Sequence, residues 1–446
     1  MRMSRKSLSY SVLLAGLMTV IMSPAAQAYG PEGLFGGRPK PDGTIALGNP
    51  VDLRQDRPER AQSVLEHPRP DFDPVPLEFG SFELYTTLEL GESYDSNIYA
   101  TRRNTRDDAV GTIRPIVNLF SNWNRHAVSI TAFGDSNYFA FHPDENYNNG
   151  VIDVSGRYDI ANQVWVNTRG GYQRLAESRT SPNSLGVLAE PTRFGMATGG
   201  VQGYYGPGKI KLSGGYDYRR FDYNNTPIIG GGTWDQKVRD RNEHVVGGKV
   251  AYEASANFKP YISAAYNRRD YDRADALHDS NGYEGLIGFE ADLGGITSVE
   301  LFAGWMTQHY KDSPYSKKRI SSPRLGARVD WNVTGLTSVA FEANRTIEET
   351  SLLGYNSFYQ TGGSATITHE LLRNVLLEGN VGYSHFDFNG DGNRKDNGLS
   401  SGVGTRYLVN RNLYGDLIYN YERRFSNDQD SRFGRHIAML RVGIHL

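Results

Sequence analysis

The sequence predicts an all-β chain: a transmembrane antiparallel up-and-down β-barrel of about 18 strands, with 16 as the alternative count. Three observations predict it. From about Ser81 to Leu446, alternating apolar and polar runs are joined in pairs by tight turns at 122–125, 161–163, 206–209, 257–260, 294–297, 334–337, 372–374 and 410–412. These turns recur roughly every 37 to 50 residues, the length of a hairpin plus one long loop. Longer and more polar connections, such as 141–149, 224–240 and 389–397, lie between them. Short turns at one end and long loops at the other are the pattern of a barrel that crosses a bacterial outer membrane.

The chain opens with a secretory signal over 1–28. Arg2, Arg5 and Lys6 form a basic start, residues 12–22 a short apolar core, and Ala26-Gln27-Ala28 a small-x-small cleavage site. No other run reaches the roughly 18 apolar residues of a helical span. Residues 29–80 differ again. They hold Pro31, Pro39, Pro41, Pro50, Pro58, Pro68, Pro70, Pro74 and Pro76 without periodicity, which predicts a largely unstructured periplasmic arm. Residues 58–66 are the one helix-compatible piece, with Pro58 at a first helical position. A fold-back of part of this arm that narrows the barrel is the other reading open here.

The barrel, 81–446, can be phased strand by strand. In the first strand Phe82, Leu84, Leu88 and Leu90 oppose Glu83, Tyr85, Thr87 and Glu89. Later, Ile210, Leu212, Gly214, Tyr216 and Tyr218 oppose Lys211, Ser213, Asp217 and Arg219. Val299, Leu301, Ala303 and Trp305 oppose Glu300, Gly304 and Gln308, with Phe302 breaking the pattern. Leu325, Ala327, Val329, Trp331 and Val333 oppose Arg324, Arg328, Asp330 and Asn332. Each set demands one apolar and one wet surrounding.

A soluble sandwich would bury the apolar face, whereas a barrel in lipid turns it outward around a water-filled lumen. The apolar faces are thin, rich in Gly, Ala, Val and Tyr, and the chain is one continuous meander of hairpins; both favour closure in lipid. A propeller packs four short strands into each repeat, whereas these repeats hold two long ones. Eight tight turns, each flanked by two strands, plus a first and a last strand give 18 and leave both ends on the periplasmic side. Leu440, Val442, Ile444 and Leu446 alternate to the last residue. Such a strand resembles the signal read by barrel-insertion machinery, although a terminal aromatic is commoner there than Leu446.

Mean hydropathy is −0.54, a soluble-looking value that alternation explains, since only every second strand residue faces lipid. With 0 cysteines there is no disulfide framework or thiolate chemistry, and a net charge of −2 gives no argument for nucleic acid. The 28 tyrosines suit interfacial girdles and the 50 glycines suit tight sheet curvature.

The segment His67-Pro-Arg-Pro-Asp-Phe-Asp-Pro, then Phe79-Gly-Ser-Phe-Glu-Leu and Leu88-Glu-Leu-Gly-Glu-Ser-Tyr-Asp-Ser-Asn-Ile-Tyr-Ala-Thr101, resembles the opening of a known family. That family is the putative β-barrel porin 2 family of Gram-negative outer membranes. The closest correspondence is over 80–82 and 90–101. The resemblance implies an outer-membrane barrel taking part in exopolysaccharide production and export, and it carries no catalytic residues. The piece Tyr94-Asp95-Ser96-Asn97 reads physically as an Asp-x-Asn turn bonding its own backbone.

Candidate lumen residues carry both signs. They are Arg157, Arg169, Lys211, Arg219, Lys249, Glu253, Arg269, Glu284, Glu290, Arg324, Arg328, Asp330, Glu342, Glu378, Arg406, Asp416, Glu422, Arg424 and Arg441, with Asp153, Asp159 and Asp217 beside them. Mutual pairing across strands is one reading; a conduit of charge-assisted donors and acceptors for hydrated sugars is the other. The absence of a single-sign ring argues against a strongly ion-selective pore. Asp387, Asn389, Asp391 and Asn393 have the oxygen spacing of a weak Ca²⁺ loop, incomplete because Gly398 stands where a bidentate Glu would come, with Asp396 as a substitute. A solvated loop tip is the alternative, and no other cofactor is expected.

No enzyme is predicted. There is no His-Glu-x-x-His pair, and Ser384 and His385, as strand neighbours, point to opposite faces. The expected function is passage of exopolysaccharide across the outer membrane. The expected partners are outer-membrane lipid and lipopolysaccharide, the insertion machinery, a periplasmic polysaccharide-export protein and a polysaccharide chain. A small-solute diffusion porin and a surface barrel adhering through its long loops are the alternatives.

Overall fold

The computed structural model describes residues 62–446. The signal segment expected over 1–28 and residues 29–61 of the expected arm lie outside the described residues. One sheet of nineteen strands dominates, of which Leu77–Phe79 is a three-residue return of the arm onto the first barrel strand. The other eighteen form the wall. They are β1 Phe82–Asp95, β2 Asp108–Ser121, β3 Ala127–Phe139, β4 Tyr147–Ala161, β5 Val164–Ala176 and β6 Arg193–Tyr205. Next come β7 Ile210–Tyr223, β8 Arg241–Tyr252, β9 Phe258–Tyr271, β10 Ser280–Leu293, β11 Thr297–Tyr310 and β12 Arg319–Thr334. The last are β13 Thr337–Glu349, β14 Tyr355–Leu372, β15 Val375–Gly390, β16 Lys395–Asn410, β17 Leu413–Ser426 and β18 Phe433–His445. Each pairs antiparallel with its chain neighbours, and β18 pairs with β1 from Ile437↔Asp95 to His445↔Thr87, so the barrel closes.

Eight short connections lie at one rim with both barrel ends, and nine loops, the longest 224–240, lie at the other. The fourth turn falls at 253–257 rather than 257–260, because Pro260 is already part of β9, paired with Phe289 of β10. The loops expected at 141–149 and 389–397 shrink to 140–146 and 391–394. Above the lipid a ladder needs no apolar residue, so polar strand ends keep pairing where the apolar pattern has stopped.

Exposure decides which face is which. Ile287 is 66% exposed and Leu417 64%, whereas Arg324 and Asp416 are each 1% exposed. A soluble core would invert these values. The outward stripe is the lipid face, flanked by aromatic belts: Tyr158, Tyr205, Tyr252, Trp331 and Tyr407 toward the turns, Tyr94, Tyr138, Tyr172 and Tyr283 toward the loops. The interior is drier than a water-filled lumen predicts, because long charged side chains lie along the wall and cover one another.

Phe302, the sequence exception, points inward. Its ring lies over Gly326, where an added Cβ would sit 2.0 Å from Phe302 Cζ, and the Arg324 guanidinium lies 5.2 Å from the ring centre. Gly326→Ala is expected to cost about 1–3 kcal/mol by overpacking. A denaturant titration of the reconstituted barrel checks this; an unchanged midpoint would contradict the contact.

Candidate pore interior and its two mouths

Ion pairs tile the inner face. Arg169 on β5 reaches Asp217 on β7 at 2.5 Å, across the intervening β6, because the residue between them is Gly200. A Cβ there would stand 2.2 Å from the Asp217 carboxylate, so only glycine admits this pair. Arg157 bonds Asp159 at 2.7 Å and lies 4.1 Å from the Trp165 ring centre. Lys249 reaches Glu290 at 2.5 Å, Arg324 reaches Glu284 at 2.9 Å, and Arg328 reaches Glu342 at 3.0 Å. Arg219 meets Glu243 at 2.7 Å, and Arg269 meets Glu349.

Toward the periplasmic rim, Asp416 accepts from Arg406 at 2.7 Å and from Arg441 at 2.6 Å. Arg441 also stands 3.4 Å from Glu89, which takes the Tyr414 hydroxyl at 2.5 Å and lies 3.9 Å from Arg114. Glu378 is buried and accepts from Thr368 at 3.3 Å, and Glu422 lies 3.7 Å from Arg435. Two candidates sit apart from these networks. Asp330 is exposed near the turn rim, and Glu253 is in a turn, where Lys211 at 3.0 Å holds its carboxyl below the usual range.

Loop 177–192 crosses the outer mouth as a strap. Its root is fixed by Glu177 to Arg239 at 2.9 Å, and Arg179 is bonded to Glu145 and to the Leu188 carbonyl at 3.0 Å. On the opposite wall, Arg424 of β17 donates to the Thr180 carbonyl and, at 3.5 Å, to that of Ser181. Asn183 donates to the Glu349 carbonyl at 3.4 Å and accepts from the Thr350 hydroxyl at 2.7 Å. The returning half is joined to loop 224–240 by Ala189 N–H to Pro227 O and Ile229 N–H to Val187 O, both at 2.9 Å. A vestibule of about 710 Å³ lies among the loops. Tyr99, Trp234, Tyr355, Arg179, Arg394, Arg424, Asn393 and Asn427 line it, with Leu188, Leu352 and Leu353.

The arm crosses part of the periplasmic mouth. Residues Val64–Glu66 form one 3₁₀ turn, closed by the Ser63 N–H donating to Glu66 at 2.6 Å. Val64 is fully buried, and its N–H donates to the Ser338 hydroxyl of β13 at 2.8 Å. Arg69 donates to Glu370 of β14 at 2.6 Å and to the Val64 carbonyl at 2.8 Å. Arg411, in the β16–β17 turn, donates to the Pro70 carbonyl at 2.8 Å. Burial raises the Asp73 carboxyl above its ordinary value, opposed by the Arg69 N–H that it accepts at 2.6 Å.

The carboxylates of the proposed Ca²⁺ spacing have separate protein partners. Asp387 lies 3.5 Å from Lys395, Asp391 accepts from the Ser316 N–H at 3.0 Å, and Asp396 accepts from Arg394 and Ser426, while Asn389 donates its side-chain amide N–H to Ser357 at 3.4 Å. Asp387 and Asn389 belong to β15 rather than to a loop. Sequence reading placed Glu89 on the polar face of its strand but missed Arg114, Glu177, Arg239, Arg241, Glu243, Glu349 and Arg435. Alternation on β8 would have found Arg241 and Glu243; the loop residues carry no such signal.

Three comparisons bear on this geometry. The family described as putative beta-barrel porin 2 matches residues 69–446. No curated protein matches the chain by sequence. Among solved structures the chain is similar to the copper transporter OprC, at 11% identity over 83% of this chain and 81% of that one, with a TM-score of 0.46. It is similar to the siderophore receptor PiuA from Acinetobacter baumannii at 10% identity, 83% and 82% coverage and a TM-score of 0.44. For OccAB3 of the same organism the values are 10%, 81%, 99% and 0.42.

Proposed function

This chain belongs to the putative β-barrel porin 2 family, and from that premise we propose that it is a gated outer-membrane pore through which exopolysaccharide leaves the cell. The observation that carries the proposal is the vestibule, where Tyr99, Trp234 and Tyr355 share one cavity with Arg179, Arg394 and Arg424. Sugar rings present apolar C–H faces that lie on aromatic rings, and hydroxyl pairs that accept from guanidinium and amide donors. Strap and arm each cover a mouth, which suits a conduit opened on demand better than a free diffusion pore. Residues 29–80 are a natural handle for a periplasmic export protein.

Deleting the gene should abolish extracellular polymer, and Tyr99→Ala with Trp234→Ala should lower its yield while the barrel still folds. Unchanged polymer after deletion removes the export reading. Steady ohmic conductance of the wild-type protein in planar bilayers would favour the small-solute porin instead.

A further inference from the structure

The β12–β13 ladder is incomplete. It runs from Thr334↔Thr337 to Gly326↔Asn344 and stops, so residues 319–325 and 345–349 share no rung. Residues 319–325 remain paired to β11, and residues 345–349 remain paired to β14. The outer part of β13 has slipped inside the wall. Thr346, Ile347 and Glu348 are 2%, 6% and 6% exposed, three buried residues in succession where a wall strand would show one to lipid. Ile347 packs on Met306, Tyr310 and Ile320 of the inner face. Glu349 crosses to β9 and β11, accepting from Arg269, from Tyr271 at 2.9 Å and from Tyr310 at 2.7 Å.

Over this tucked segment β14 is tied directly to β12 and its preceding loop. Tyr359 donates to the Ser321 carbonyl at 2.9 Å, and Asn356 donates to the Lys317 carbonyl at 2.8 Å. Side chains stand in for the missing rungs: Arg324 donates to the Arg345 carbonyl at 2.7 Å, and Arg345 donates to the Ser322 hydroxyl at 2.7 Å. Pro323, midway along the free edge, has no N–H to give to a ladder. The wall thus overlaps itself, and its outer part is narrower by about one strand spacing, ~4.8 Å of circumference. The strap rests on the same segment, through Asn183 to Glu349 and Thr350.

We propose that this overlap is the pore's outer gate: residues 345–349 swing outward and continue the ladder in register, Arg345 opposite Leu325 through Glu349 opposite Ser321. The move widens the outer part of the barrel, withdraws Glu349 from Arg269 and releases the strap in one step. Side-chain caps and inner packing hold the closed state, and new ladder bonds hold the open one, the balance a bistable element requires. The inference rests on the pore reading only for its conductance readout; the motion itself is read by cross-linking.

The chain has 0 cysteines, so introduced thiols react only with each other. Ser322→Cys with Glu348→Cys, opposite one another in the continued register, should form a disulfide in the reconstituted full-length barrel. Conductance should then rise severalfold and fall again with dithiothreitol. Asn183→Cys with Thr350→Cys, which ties the strap to the tucked strand, should hold conductance at its closed level after oxidation. A folded barrel whose first pair stays reduced, or oxidises without changing conductance, overturns the gate. Should the first pair fail to fold, Glu349→Gln serves in its place, and it must raise the open fraction for the gate to stand.

Discussion

Asp416→Ala should cost this barrel about 3–5 kcal/mol of folding stability, the cost of stripping buried charges of their partner. Asp416 is 1% exposed, and its carboxylate is held from two strands, by Arg406 and Arg441. In the wild type three guanidiniums, Arg114, Arg406 and Arg441, face Glu89 and Asp416. Removing Asp416 leaves three cations against Glu89 alone, in an interior where lost solvation is not restored. Arg406→Met added to Asp416→Ala should recover part of the loss, and the double-mutant cycle measures the coupling. Glu253→Ala is the contrast, since its pair with Lys211 sits in a turn and should cost within about 0.5 kcal/mol. Denaturant titrations of the three variants in lipid check the ordering. Equal midpoints for Asp416→Ala and Glu253→Ala would mean that solvent reaches the network and screens it.

Why the inward face could be read from sequence, and the mouths could not, follows from where each contact comes from. Ile210–Tyr223 is legible because lipid and interior make opposite demands on successive residues, leaving Leu212 outside and Arg219 inside. The weaker Arg193–Tyr205 carries Gly195, Gly199, Gly200 and Gly203, which dilute the alternation; Gly200 is there to let Arg169 meet Asp217. The strap has no period to read, and its bonds to Glu349, Thr350 and Arg424 join residues more than 160 positions apart. The arm is the same case, with Arg69 and Glu370 separated by 301 positions. Thr346-Ile347-Glu348 is subtler. Its residues alternate as a wall strand should, and alternation says nothing about whether the neighbouring ladder continues.

Glu370→Ala should release the arm from the periplasmic mouth. Arg69 and Glu370 are 4% and 3% exposed and meet at 2.6 Å, so removing the carboxylate strands a buried guanidinium. Ties that remain include the Val64 N–H to Ser338, the buried Val64 side chain, Arg411 to Pro70 and the pairing of Leu77–Phe79 with β1. A loss of about 3–5 kcal/mol in the docked state shifts the docked-to-free ratio by roughly two to three and a half orders of magnitude. The barrel has a way to avoid the stranded charge, since the arm can leave and hydrate Arg69. The expected result is therefore protease sensitivity of residues 62–76 with an unchanged barrel melting transition. Deleting residues 62–76 should give the same conductance as Glu370→Ala, because both leave the mouth uncovered. Burial raises the Asp73 carboxyl, so its contribution to docking is full below the ordinary carboxylate value and is lost as pH rises through the higher docked value. Proteolysis of the wild-type arm should accordingly slow in mild acid. An arm cut equally fast in wild type and Glu370→Ala would show that the Arg69 pair does not hold it.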